Sequence, residues 1–241
     1  GRSVPVSARD DIARQRAQAV TDNLFETLKR EAAAEWRAYT DHAFVRALGE
    51  GTLPEACFRR YLGQDYLFLI HFARAYGLAA FKAGDIDDIR AAAQGLDAMI
   101  NVEMGLHVKF CAGWGLSEAE MAALPEADAT MAYTRFVLER GMAGDLLDLH
   151  VALAPCIVGY AEIGAGLAAR CGPSLADNPY REWIEMYASA EYLDVAGAET
   201  AYIDRLFDKR GGPGRMPGLV ETFRQATRLE AAFWQMGLDL D

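Results

Sequence analysis

Asp65, Cys156 and Glu230 are chemically capable residues at positions where helical spacing predicts apolar side chains. In "FRRYLGQDYLFLIHF", residues 58–72, Phe58, Leu62, Leu69 and Phe72 recur at three- and four-residue intervals and share one helical face. Asp65 falls on that face, three residues after Leu62 and four before Leu69. An unpaired buried carboxylate costs several kcal/mol or takes up a proton. Two readings stay open: a structural Asp bonded to a tyrosine hydroxyl, an indole or a neighbouring helix, or a functional one.

Cys156 directly follows Pro155 inside an apolar helical run, with Tyr160 one turn on along the same side. Buried cysteine is usually an inert small hydrophobe. The proline, however, removes one i→i−4 hydrogen bond and predicts a kink beside the thiol. Cys57, Cys111 and Cys171 lack such surroundings and read as structural. In "PGLVETFRQATRLEAAFWQMGL", Leu219, Phe223, Ala226, Phe233 and Trp234 mark the buried side, and Glu230 lies on it. Its ordinary alternative is a glutamate at the surface edge.

Glu162 and Glu103 raise the same question less sharply. Glu103 and His107, spaced i, i+4, could begin a metal site, but one such pair reads better as a structural hydrogen bond. Spacing does not separate Tyr133 and Tyr187 from core tyrosines. A thiol and two carboxylates on the inner faces of three helices would make a nucleophile with acid/base partners in an aromatic-lined pocket.

The elements that must hold these residues are helices. Alternating β-branched runs are missing, and Ala, Leu, Glu, Arg and Met dominate. Turn and cap signals such as "GEGTLP", "KAGD", "RGMAGD", "CGPSLADNP" and "KRGGPGRMPG" punctuate the chain. Between them the sequence predicts helices over 9–48, 54–83, 86–114, 117–122, 130–141, 145–170, 178–208 and 217–238. The segment from 145 to 171 is hydrophobic almost all round and belongs at the centre of a bundle. No repeat or domain-separating linker appears, so residues 1–241 are expected to form one all-α domain, with 1–27 as an N-terminal extension and helix start.

Composition narrows the functional classes. The 241 residues carry 35 acidic and 24 basic side chains, a net charge of −11. That surface repels phosphate backbones, and no basic cluster offsets it, so nucleic acid is not an expected partner. No uninterrupted apolar run reaches membrane-spanning length, so a membrane is not expected either. "GRSVPVSARDDIARQRAQAV" reads as a polar lead-in, without the hydrophobic core of a targeting segment. Four widely spaced cysteines without a C-x-x-C fit a reducing cytoplasm.

The residues as a set are similar to one family. "EWRAYTDHAFVRALGEGTLPEACFRRYLGQDYLFLIHFARA", "NVEMGLHVKF", "MAYTRF", "ALAPCIVGYAEIG", "NPYREWIEMYAS" and "LEAAFWQMG" occur in the order and at the spacing of the TenA family. That family is also called thiaminase II or aminopyrimidine aminohydrolase, and has the haem-oxygenase-like all-helical fold. The resemblance implies a hydrolase of thiamin salvage that acts on 4-amino-5-aminomethyl-2-methylpyrimidine, and on thiamin as a possible second substrate. It also implies a homotetramer that needs no cofactor.

By the same resemblance Asp65 binds the aminopyrimidine edge, Cys156 is the nucleophile and Glu230 does acid/base work. Tyr133 and Tyr187 contact the ring, and Tyr160 lies near the sulfur. Phe68 stands where many relatives carry tyrosine, so one hydroxyl is missing from the expected pocket. The alternatives are a non-catalytic aminopyrimidine-binding or regulatory protein, and a metal- or haem-dependent member of the same fold.

Overall fold

The structure, a computed structural model, describes residues 23–240. The portion of the predicted 9–48 helix that precedes Asn23 lies outside them, as does the N-terminal lead-in.

The described residues form helices joined by short turns, with no strand among them. Three short helices open the chain: α1 (Leu24–Glu31), α2 (Ala33–Thr40) and α3 (Ala43–Glu50). The sequence predicts one helix here, but the backbone breaks at Ala32 and again at Asp41 and His42. The His42 ring accepts the Phe44 N–H and so starts a new helix. The long α4 (Glu55–Lys82) leads to α5 (Ile86–Ala98) and α6 (Met104–Gly113). These two are one run interrupted by a π-turn at Met99–Glu103, a device that rotates the side chains following it.

Next come α7 (Glu118–Ala122), α8 (Asp128–Ala143) and the central α9 (Leu146–Cys171). A capping box starts α9: the Asp145 carboxylate accepts the Leu147 and Asp148 N–H groups, and Asp148 accepts from the Asp145 N–H. Arg215 pairs with both acids at 2.9 and 2.7 Å, which ties this end to the segment that opens α12. The predicted 178–208 helix is two helices, α10 (Arg181–Tyr187) and α11 (Ala190–Arg210). Ser189 separates them by capping the Tyr192 N–H. The last helix is α12 (Met216–Leu238).

Helix α9 packs against α8, α10, α11 and α12, and α4 against α5 and α8, so four long helices enclose the centre. By length and composition alone α9 with the turn after it, Leu146–Asp177, is long and apolar enough to cross a membrane, although charged and polar residues interrupt it. Of its apolar window 67 % is buried inside the protein, as suits the centre of a helical bundle. Aromatic rings fill the space around it: Trp234 stacks on Phe44 at 4.9 Å, and Trp183 meets Tyr187 at 4.7 Å.

One close approach decides where α10 ends. A Cβ on Gly164 would lie 2.6 Å from the Tyr187 carbonyl carbon, so only glycine lets that backbone reach α9.

Candidate active site

Five helices bring their side chains to one cavity of about 190 Å³. Asp65, Phe68 and Tyr76 come from α4, Cys156 and Tyr160 from α9, Tyr187 from the end of α10, and Tyr192 and Val195 from α11. Gly95 and Ala98 of α5, with Met99 and Glu103 of the π-turn, complete the wall, and exposed Glu103 stands at the mouth. A cavity of about 150 Å³ holds a benzene-sized ring, so this one suits a substituted six-membered heterocycle.

Asp65 is buried and accepts no hydrogen bond from a side chain among the described residues; His107 Nδ1 lies 3.7 Å from its Oδ2. Burial pushes its carboxyl up to about 6, with His107 opposing the shift. Of the structural partners that the sequence allowed for it, no tyrosine or indole is there, and the neighbouring helix α6 supplies only His107, beyond hydrogen-bond length. Asp65 therefore presents its acceptors to the cavity.

Glu230 of α12 lies just behind the cavity and is only 2 % exposed, so the surface-edge alternative is overturned. Tyr133 of α8 donates to its Oε1 at 2.7 Å, and the Cys156 thiol is within hydrogen-bonding reach of the same carboxyl. Burial pushes Glu230 up to about 8; the negative charge of Asp65 adds to the shift, and the Tyr133 and Cys156 bonds oppose it. Burial, then Glu230 and Asp65, push the Cys156 thiol well above its ordinary value. At rest the sulfur is therefore protonated, and it needs a base to take that proton.

Phe68 stacks on Tyr133 at 5.2 Å and meets Phe233 edge-on at 5.9 Å. Its ring fills the place of the missing tyrosine and supplies no hydroxyl. Tyr160 takes part in a short chain: the Trp183 indole donates to the Tyr61 hydroxyl at 3.4 Å, which is 3.2 Å from that of Tyr160. With Tyr61 accepting from the indole, its own proton is available to Tyr160, whose proton then faces the cavity.

Asp65, Phe68, Glu103, Cys156, Tyr160 and Tyr187 thus line the cavity, with Tyr133 and Glu230 directly behind it. The Glu103/His107 pair does not form the expected mutual bond. His107 bonds the Leu62 carbonyl instead, at 3.1 Å, and faces Asp65. No group of three or more His, Cys, Asp or Glu side chains assembles to hold a metal ion among the described residues. Glu162 is a surface residue, paired with Lys29 at 2.8 Å. Cys57 is buried near the Leu238 carbonyl, Cys111 is fully buried beside His107, and Cys171 bonds the Gly49 carbonyl.

Sequence reasoning missed Tyr61, Trp183, Tyr76 and Tyr192, and it named His107 without its place facing Asp65. Tyr61 carried a usable signal, lying one turn before Asp65; the others are brought in by packing alone.

Comparison with known proteins identifies the family. The profile of the TENA/THI-4/PQQC family matches residues 29–240. An aminopyrimidine aminohydrolase of Halalkalibacterium halodurans is 36 % identical over 87 % of this chain and 93 % of its own length. Another, from Bacillus subtilis, is 30 % identical over 86 % of each. The crystal structure of a protein from Silicibacter sp. TM1040, described as a TenA family transcription regulator, superposes with a TM-score of 0.83. It is 44 % identical and covers 89 % of this chain and 96 % of that one. A Shewanella denitrificans domain with a haem-oxygenase-like fold shares the fold alone, at 11 % identity and a TM-score of 0.70 over 89 % of this chain and 91 % of that one. The chain belongs to the TENA/THI-4/PQQC family.

Proposed function

We propose that this protein is an aminopyrimidine aminohydrolase. It would replace the amine of 4-amino-5-aminomethyl-2-methylpyrimidine, and the thiazole of thiamin as a second substrate, with hydroxyl. The observation that carries the reading is the meeting, at one ring-sized cavity, of a carboxylate that accepts no side-chain hydrogen bond, a thiol and, just behind them, a second carboxylate. The names of the relatives at 36 % and 30 % identity support it.

Each residue then has a task. The Asp65 carboxylate accepts two hydrogen bonds from the ring N–H and amino group of a protonated aminopyrimidine, and the cation it favours makes the ring carbon electrophilic. The ionised fraction of Glu230 takes the Cys156 proton, and the thiolate adds to the ring carbon beside the one that bears the methylene. Electrons move toward the methylene and expel the amine, which leaves with the proton Glu230 holds. Water adds to the methylene and returns a proton to Glu230, the sulfur departs, and the hydroxymethylpyrimidine remains. Tyr133 steadies the ionised Glu230, while Tyr160, Tyr187 and Phe68 hold the ring.

The absent hydroxyl at Phe68 and the high proton affinity of Cys156 favour one second reading, a protein that binds the aminopyrimidine without converting it. Calorimetry with the hydroxymethyl product separates the roles of the two acids. Asp65→Asn is expected to weaken binding by about a hundredfold, a loss of two charge-assisted bonds. Undiminished binding would remove Asp65 from the site.

As one domain with free cysteines the protein fits a reducing cytoplasm. Ile100, Val102, Leu106 and Leu193 are exposed apolar side chains of the kind that homotetramer formation would cover.

A further inference from the structure

A second cavity of about 470 Å³ adjoins the first and shares Tyr76, Gly95, Ile157 and Val195 with it. Its inner end is polar. His150 of α9 and Glu199 of α11 are 4 % and 8 % exposed, and His150 Nδ1 lies 2.7 Å from Glu199 Oε1. A carboxylate accepts, so that ring nitrogen donates and Nε2 is left as an acceptor. Neither Nε2 nor the second Glu199 oxygen has a protein partner among the described residues, and neither is sealed off from the cavity.

A pair that served only to tie α9 to α11 would be expected to bond its remaining polar atoms to protein, because a buried polar atom without a partner costs about 1–3 kcal/mol. Here both remaining atoms are acceptors, and both face empty space. The Tyr76 hydroxyl, at the boundary of the two cavities, also has no protein partner. The tyrosines Tyr76 and Tyr202 add π faces, and the one cation of the lining, Arg205, is exposed at the rim over the Tyr202 ring. Acceptors and aromatic faces together suit a group that carries N–H donors or positive charge.

We propose that this cavity is a second subsite, reached past Tyr76 and Ile157, for an amine-bearing or cationic substituent on the methylene of the aminopyrimidine. The inference rests on the aminopyrimidine reading and extends it: the part of the substrate that leaves has its own recognition site. The aminomethylpyrimidine is too short to need it, whereas the thiazolium of thiamin is large and cationic enough to fill it.

The test is steady-state kinetics with those two substrates. Glu199→Gln keeps the shape and removes the charge; it is expected to raise KM for thiamin about tenfold and to leave KM for the aminomethylpyrimidine within about twofold. Ala198→Trp, which fills the exposed rim of the cavity, is expected to lower kcat/KM for thiamin by about tenfold or more and to spare the short substrate. Turnover of the short substrate also reports that each variant is folded. If both substrates change together, or neither changes, the subsite is refuted while the aminohydrolase reading stands. If the unaltered protein converts neither substrate, both fall.

Discussion

Asp65 and Glu230 are shifted in the same direction by the same cause, burial, yet they come to rest about two pH units apart, at about 6 and about 8. Between those values one carboxyl is ionised and the other mostly holds its proton, so the anion that binds the ring and the base that takes the Cys156 proton come into play at different pH. Asp65 must be charged to hold a cationic ring, so kcat/KM is expected to rise with pH through about 6. Glu230 must be ionised to take the Cys156 proton, the one it then passes to the amine, so kcat/KM is expected to rise again through about 8. Two rising steps near those values, and loss of the one near 8 in Glu230→Gln, make the expected profile. A profile flat from pH 5 to 9 would contradict these roles.

Both acids were visible in the sequence because each interrupts an apolar stripe at helical spacing. Tyr133 was named only through likeness to relatives, since a tyrosine on a buried face looks the same whether it packs or bonds a carboxylate. His107 was legible as a histidine one turn after Glu103, but its facing Asp65 depends on how α6 packs against α4.

At the scale of elements, the site depends on how closely α10 approaches α9. Gly164 admits the Tyr187 backbone, and Tyr187 in turn meets Tyr160 at 4.8 Å. Gly164→Ala puts a methyl group 2.6 Å from that backbone, so the end of α10 must move outward. The expected result is a loss of about 1–3 kcal/mol in stability and about a tenfold drop in kcat/KM. Gly166→Ala, where the nearest atom is the flexible Arg170 guanidinium at 3.6 Å, is the control and is expected to leave both within error. Thermal melts and kinetics on the pair check this.

The extents of α4, α9 and α12 were legible because their apolar content and flanking turn residues agree. The breaks at Asp41–His42 and at Ser189 were not. Each depends on one cap, and the helical propensity on either side hides it. The π-turn at Met99–Glu103 left no mark in the spacing either.

At the scale of the whole molecule, the bundle carries buried acids at a cost in stability. A glutamate ionises near 4.5 in the unfolded chain, whereas Glu230 in the folded chain does so at about 8. Between these values the unfolded state binds fewer protons, so stability falls as pH rises across that window. Glu230→Gln removes the effect and can still accept the Tyr133 bond. It is expected to be more stable than the parent by on the order of 2 kcal/mol at pH 7.5, with little difference at pH 5. Melting curves at the two pH values read this directly. A variant that is destabilised equally at both would show that Glu230 is a structural acid.

The all-α class and the central place of α9 were read from composition and hydropathy. The enclosed cavity was not, because the space left between helices is set by ring packing that no local pattern encodes. The most direct test of the central claim is ammonia release from 4-amino-5-aminomethyl-2-methylpyrimidine by the parent protein and by Cys156→Ala, with binding of the hydroxymethyl product measured alongside. The account predicts turnover by the parent, a loss of about a thousandfold or more in the variant, and product affinity preserved within about threefold. Ammonia release by Cys156→Ala at the parental rate would contradict it.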